Sequence, residues 1–134
     1  MANFIIHISF PILLDFYNIR LLGPLDSPYA GGLFFINIDF PDNYPKNSPE
    51  VRFQNKIYHL NVNGQNGHIS IPILNCWKPG TSIFDVICNI FDCFYEQNYC
   101  GAYSCQMARE YKNNRKEFER NAKEWTQHFA SIES

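Results

Sequence analysis

Two hydrophobic rhythms divide this chain, and their order restricts the folds open to it. In Gly31–Pro41, "GGLFFINIDFP", Phe34, Ile36, Ile38 and Phe40 alternate with Phe35, Asn37 and Asp39. That period of two is a strand with one apolar and one partly polar face. In "IFDVICNIFDCF", Ile83, Val86, Ile87, Ile90, Phe91 and Phe94 instead fall at helical spacing, and Ser82 can cap the first turn. This predicts a buried central helix. Leu13 to Leu22 is apolar and β-prone, which predicts a first strand, and "SPEVRFQNKIY", with Val51 and Phe53 on one face, gives a third. The intervening "FPDNYPKNSP" is neither helix nor central strand, because proline fixes φ and lacks the N–H. Towards the C-terminus Met107, Tyr111, Phe118, Ala122, Trp125 and Phe129 form a stripe opposite Lys, Arg and Glu, divided into two helices at Asn113-Asn114. Strands first and helices after predict an α+β domain. Its sheet is expected to be a four-stranded antiparallel meander, followed by the central helix and C-terminal helices.

A length of 134 residues fits one domain over the whole chain, and 46% hydrophobic residues with 12 Phe and 8 Tyr supply its core. Net charge is only -2, with no run of Lys and Arg to track a phosphate backbone, so nucleic acid is excluded as the expected partner. The five cysteines, Cys76, Cys88, Cys93, Cys100 and Cys105, show neither a C-x-x-C pair nor a Cys/His zinc pattern. No metal or cofactor is expected, and an odd set of unpaired thiols fits a reducing cytoplasm or nucleus. The opening "FIIHISFPILL" is too short to span a membrane and is interrupted by His7 and Pro11, so it reads as a strand or docked arm.

The stretch from Tyr58 to Leu74, "YHLNVNGQNGHISIPIL", has the layout of a hairpin flap entering a buried active-site strand, and its two Asn-Gly pairs suit tight turns. It contains no group that is a strong nucleophile at neutral pH. Together with "GPLDSPYAGG", "FPDNYP", "WKPG" and "AREYKNNRKEFERNAKEWTQHFA", it resembles the catalytic core of ubiquitin-conjugating enzymes over about Asn3 to Ala130. "SIPI" followed by "WKP" is most similar to the branch whose active-site motif reads Cys-Leu-Pro.

The resemblance implies a protein that carries ubiquitin or a ubiquitin-like modifier as a cysteine thioester, receives it from an activating enzyme and passes it on with a ligase. That chemistry needs a thiolate. The family pattern of His-Pro-Asn, flap and Gly-x-Ile/Val-Cys is met here by His59-Leu60-Asn61 and Gly67-His68-Ile69-Ser70. Ser70 thus stands at the nucleophile's place. The flap is one residue longer than usual, and a strict count from His59 reaches Ile69 instead. Neither alignment supplies a cysteine. Asn61 matches the residue that supports the oxyanion, a role it shares with a purely structural one in holding the flap. His59 is expected to pack, and Cys76 lies outside the motif while offering a displaced thiol. The other four cysteines read as small core hydrophobes in helical stretches.

Further departures accompany Ser70. Gly101, in "YEQNYCGAY", stands where the family places an acid or imidazole near the incoming lysine, and Pro72 offers no acid either. The ligase-facing loops read Tyr44-Pro45-Lys46, with a charge in place of an apolar anchor, and Lys78-Pro79. Asn3-Phe4 matches the segment just after the family's first helix, which the resemblance implies is missing. These features predict a protein with the conjugating-enzyme fold that forms no thioester. Two alternatives stand beside it: a genuine enzyme whose cysteine was exchanged for Ser70, and a non-catalytic subunit that binds an active conjugating enzyme or ubiquitin.

Overall fold

A computed structural model of the chain describes residues 6–9 and 16–131. Three antiparallel strands, β2 (Phe16–Leu22), β3 (Leu33–Asp39) and β4 (Glu50–Phe53), form the body of the sheet, and β1 (Ile6–Ser9) pairs along the free edge of β2. The pairing follows the alternation in the sequence. Leu21 faces Phe34, Ile19 faces Ile36, Ile36 faces Phe53 and Ile38 faces Val51, and all of these side chains are buried. The opposite face carries Phe35, exposed, with the Arg20 guanidinium 5.7 Å from its ring. Slipping the register by one residue would exchange these two faces. Of the expected first strand, residues 13–15 lie outside the described residues, as do Asn3 and Phe4.

Four helices follow: α1 (Pro72–Asn75), α2 (Ile83–Asp92), α3 (Cys105–Asn113) and α4 (Arg115–Phe129). Helix α2 buries Val86, Ile87, Ile90 and Phe91 in the same hydrophobic core as the apolar face of the sheet, and the Ser82 hydroxyl accepts a 3.0 Å hydrogen bond from the Asp85 N–H, as its sequence position predicts. Ser104 caps α3 in the same way. The C-terminal helices divide at Asn114, where the backbone leaves helical geometry. Their stripe is only partly core: Tyr111, Phe118 and Ala122 are buried, whereas Phe129 is exposed and stacks edge-on against Trp125. Thr126 is buried in its stead, satisfied by donating to the Ala122 carbonyl at 2.8 Å. None of the helices among the described residues is long and apolar enough to cross a membrane.

Candidate functional site

The flap is built by its asparagines and glycines. The Asn63 side-chain oxygen accepts from the Gln65 and Asn66 N–H groups, and its backbone pairs with His68 and Gly67. Gly67 has φ +76, and a Cβ there would collide with the Phe53 carbonyl oxygen, so only glycine fits where the flap crosses β4. Beyond the flap the expected strand is brief. His68 and Ile69 make single bridges to Arg52 and Val62, and the chain then turns into α1. Pro72 is the cause: its fixed φ suits the first helical position, and the N–H it lacks would have no partner there.

Ser70 sits at this junction, half-buried. Its N–H donates to the Asn61 carbonyl at 2.8 Å, and its Oγ accepts from Asn75 Nδ2 at 2.9 Å. That partner is an amide, which is not basic and takes no proton from the hydroxyl. Gly101 approaches from the far side. With φ +92 it is in the left-handed region, and a Cβ on it would fall 2.9 Å from Ser70 Oγ. Residue 70 is therefore flanked by an amide and a bare stretch of backbone.

Behind Ser70 lies a fully paired polar scaffold. Asn61 is completely buried, and its side chain donates to the Asn98 carbonyl at 3.0 Å and accepts from the Asn98 N–H at 2.9 Å. Both ends of the amide thus bond backbone and tie the flap to the loop around Asn98. His59 Nδ1 accepts from the Asn61 N–H at 3.0 Å, so Nε2 carries the proton and donates to the Cys93 carbonyl at 2.8 Å. Burial, partly opposed by that carbonyl, lowers the His59 pKa to about 4, and the ring is neutral. Gln97 completes the scaffold. It accepts from the Leu60 N–H at 2.7 Å and donates to the Tyr29 hydroxyl at 2.7 Å, which in turn donates to the Tyr58 carbonyl at 2.6 Å. Among the described residues no buried side-chain nitrogen or oxygen lacks a partner.

The cysteines are arranged differently from the sequence expectation. Only Cys93 is buried, and its thiol is pushed up to about 11 by burial and then by Asp92. Cys88 is half-buried in α2, Cys105 is exposed at the start of α3, and Cys100 is exposed in a turn rather than a helix. Cys76 is exposed at the end of α1. Among the described residues, no cluster of three His, Cys, Asp or Glu could hold a metal.

The sequence profile of the ubiquitin-conjugating enzyme family matches residues 5–126. This chain belongs to the ubiquitin-conjugating enzyme family. The two loops that face ligases in that family are joined here by a direct contact: Trp77 Nε1 donates to the Pro45 carbonyl at 2.8 Å, and Tyr44 packs between Phe40 and Trp77 at ring separations of 4.5 and 6.1 Å. Lys46, Lys78 and Pro79 are all exposed beside this contact. Four residues of the site carried no sequence signal for their roles: Asn75, Gln97 and Asn98, which hold it, and Trp77, which joins the loops. Asn61 and Asn98 are 37 positions apart, a separation at which no periodicity or motif reports a pairing.

Proposed function

We propose that this protein is a conjugating-enzyme-like binding protein of the ubiquitin pathway that does not carry ubiquitin as a thioester. The observation that carries the reading is the environment of Ser70, whose oxygen accepts from the Asn75 amide and faces the Gly101 backbone. A hydroxyl is almost wholly protonated at neutral pH and needs an adjacent base to attack. Of the motif's two imidazoles, His59 is committed on both nitrogens, and His68, two positions before Ser70, pairs through Nδ1 with the Tyr103 hydroxyl at 2.9 Å rather than with Ser70. A lysine amine arriving at this face meets no acid from Gly101 or Pro72. We place its action in the cytoplasm or nucleus, where its thiols stay reduced.

The Tyr44–Trp77 and Pro45–Trp77 contacts favour retention of ligase binding, in weakened form. Lys46 takes the place of an apolar anchor whose full burial is worth about 1.5 to 3 kcal/mol, or roughly 10- to 100-fold in affinity. Lys46→Phe is expected to tighten binding to a catalytic-cysteine ligase domain, followed by calorimetry. Tight binding by the natural protein that Lys46→Phe weakens would mean a loop adapted to another partner.

The function itself is tested by incubating the protein with activating enzyme, ATP and ubiquitin, then measuring intact mass with and without thiol reductant. The expected result is no reductant-sensitive adduct. A one-ubiquitin shift that reductant removes, mapped to Cys76 or Cys100, would overturn the reading and identify a displaced nucleophile.

A further inference from the structure

The last two helices carry Arg109, Lys112, Arg115, Lys116, Arg120 and Lys123, more than half of the 11 lysines and arginines in the chain. The first four crowd the place where the helices meet. Arg109 and Lys112 lie one turn apart in the second half of α3, Arg115 and Lys116 open α4, and all four are exposed, as are Asn113 and Asn114 between them. Farther along α4, Arg120 is bound by Glu117 and Glu124. Among the described residues no such pair engages the four cations of the junction. The carboxylates around them are named easily. Glu110 accepts from the Tyr58 hydroxyl at 2.7 Å and from Asn121 at 3.3 Å, and Glu117 is taken by Arg120. Glu119 stands four positions after Arg115 and three after Lys116, and Glu96 lies on the loop that meets Tyr111 through Tyr99, yet neither pairs with the cluster.

Arg115 is held in place rather than solvated on all sides. Its Nε donates to the Tyr111 carbonyl at 2.7 Å, and its guanidinium lies 3.6 Å over the Tyr111 ring. That ring is buried and packs edge-on against Phe118 at 4.8 Å, so the platform belongs to the core. The two Nη groups make no hydrogen bond among the described residues. A guanidinium fixed in this way presents a fork of donors that matches a carboxylate, with little freedom left to lose on binding. Side chains three or four apart on a helix are about 5 to 6 Å from one another, and these four cations extend over the ends of two helices. One small anion reaches only part of such a group. An extended chain brings every second side chain to one side at roughly 7 Å spacing, which suits successive cations with alternate carboxylates. Four clustered cations do not make the stripe that a nucleic-acid backbone requires.

We propose that the junction of α3 and α4, from Arg109 to Lys116, is a docking site for an acidic extended segment of a partner protein. Arg115 takes one carboxylate through its Nη fork, and Lys112 and Lys116 take those on either side. The chain as a whole is acidic, with net charge -2, so this cluster is a local exception that orients such a segment as it approaches. The assignment goes beyond the Ser70 reading and does not rest on it.

The test titrates the full chain with a fluorescein-labelled decapeptide of alternating Glu and Ser, following anisotropy and backbone amide shifts, beside its Gln and Ser counterpart, a single-stranded DNA decamer and vesicles containing phosphatidylserine. Saturable binding of the Glu peptide is expected, tighter than that of the other three, weakened by added salt and with the largest shifts between Tyr111 and Lys116. Removing charge with Lys112→Gln and Lys116→Gln together should weaken it about tenfold, as expected for two exposed charge pairs. Arg115→Lys keeps the charge but gives up the fork and should weaken it several-fold. Lys56→Gln removes a cation near the far end of α4, beside Phe129, and should leave binding unchanged. Lys112 and Lys116 are exposed, so their variant stays folded, and circular dichroism checks all three. Failure of the Glu peptide to bind at low salt, indifference to either junction variant, an equal loss in Lys56→Gln, or shifts centred elsewhere would each overturn the proposal. Tighter binding of the DNA or of the vesicles would overturn it too, assigning the cluster to a nucleic acid or a lipid surface.

Discussion

The interior that supports Ser70 and the face that Ser70 presents have gone different ways. Inside, Asn61, His59, Gln97 and Tyr29 use their polar atoms on named partners, all but the His59–Asn61 bond across long sequence separations, with distances of 2.6 to 3.0 Å. At the face, Ser70 presents a hydroxyl bonded to an amide, and the residue opposing it is a glycine. Buried polar groups are costly to leave half-paired, so a scaffold of this kind is kept for folding whether or not chemistry is performed on it. A surface serine carries no such constraint. Stability and reactivity are therefore separable in this molecule, and substitutions in the two regions should have opposite signatures.

The largest effect is expected from Gln97→Ala, which orphans the Leu60 N–H and breaks the link to Tyr29 in a buried setting. A loss of roughly 3 to 5 kcal/mol in urea unfolding follows from one unpaired backbone donor plus a second lost hydrogen bond and a cavity. A loss below about 1 kcal/mol would show that water replaces Gln97, and the contrast between interior and face would weaken.

Next in size is the acid sensitivity of His59. Its folded pKa of about 4 lies below the ordinary 6.5, so above pH 6.5 the ring is neutral in both states and stability is full. Between pH 6.5 and about 4 the unfolded chain takes up a proton that the folded protein refuses, and stability falls with pH. The total is on the order of 3 kcal/mol. Urea unfolding at pH 7.5, 5.5 and 4.5 measures it. His59→Gln should flatten this part of the profile, and an unchanged slope in that variant would assign the acid loss to other groups.

Gly101→Ala is expected to cost about 1 to 2 kcal/mol, because alanine is strained at φ +92 and its Cβ meets Ser70 Oγ. Combining it with Ser70→Gly should recover the steric part, a coupling of about 0.5 to 1 kcal/mol in a double-mutant cycle. Additive losses would mean that the two residues do not touch.

The parts of the fold that were legible in the sequence are those dictated locally. The alternation of Phe34, Ile36 and Ile38 decides which face of β3 is buried, Ser82 caps α2 from a position beside it, and Asn114 breaks the C-terminal pattern where the helices part. Pro72 misled the expectation of a continued strand, although a proline after an extended residue also fits the first turn of a helix, which is what it begins. The cysteines misled it in another way. Periodicity suggests helix around them, but Cys100 lies in a turn and Cys105 on the solvent side of α3, and exposure depends on packing that spacing alone does not encode. The motif singled out Ser70, Asn61 and His59, which the fold links through the Asn61 backbone. Their partners Asn75, Asn98 and Cys93 became visible only when the chain was folded, because two of the three are more than thirty positions away.

The smallest effect on stability is expected at Ser70 itself, and the same residue decides whether this face can carry a thioester. Ser70→Ala removes one hydrogen bond from a half-buried oxygen and should cost no more than about 1 kcal/mol. Ser70→Cys, incubated with activating enzyme, ATP and ubiquitin, asks whether the missing sulfur is the only deficiency at this face. Little or no reductant-sensitive adduct at residue 70 is expected, because the Gly101 backbone and the Asn75 amide still close around it. Loading at a rate comparable with an intact conjugating enzyme would instead show a site sound in every respect but its nucleophile, and a protein without thioester chemistry would no longer describe it.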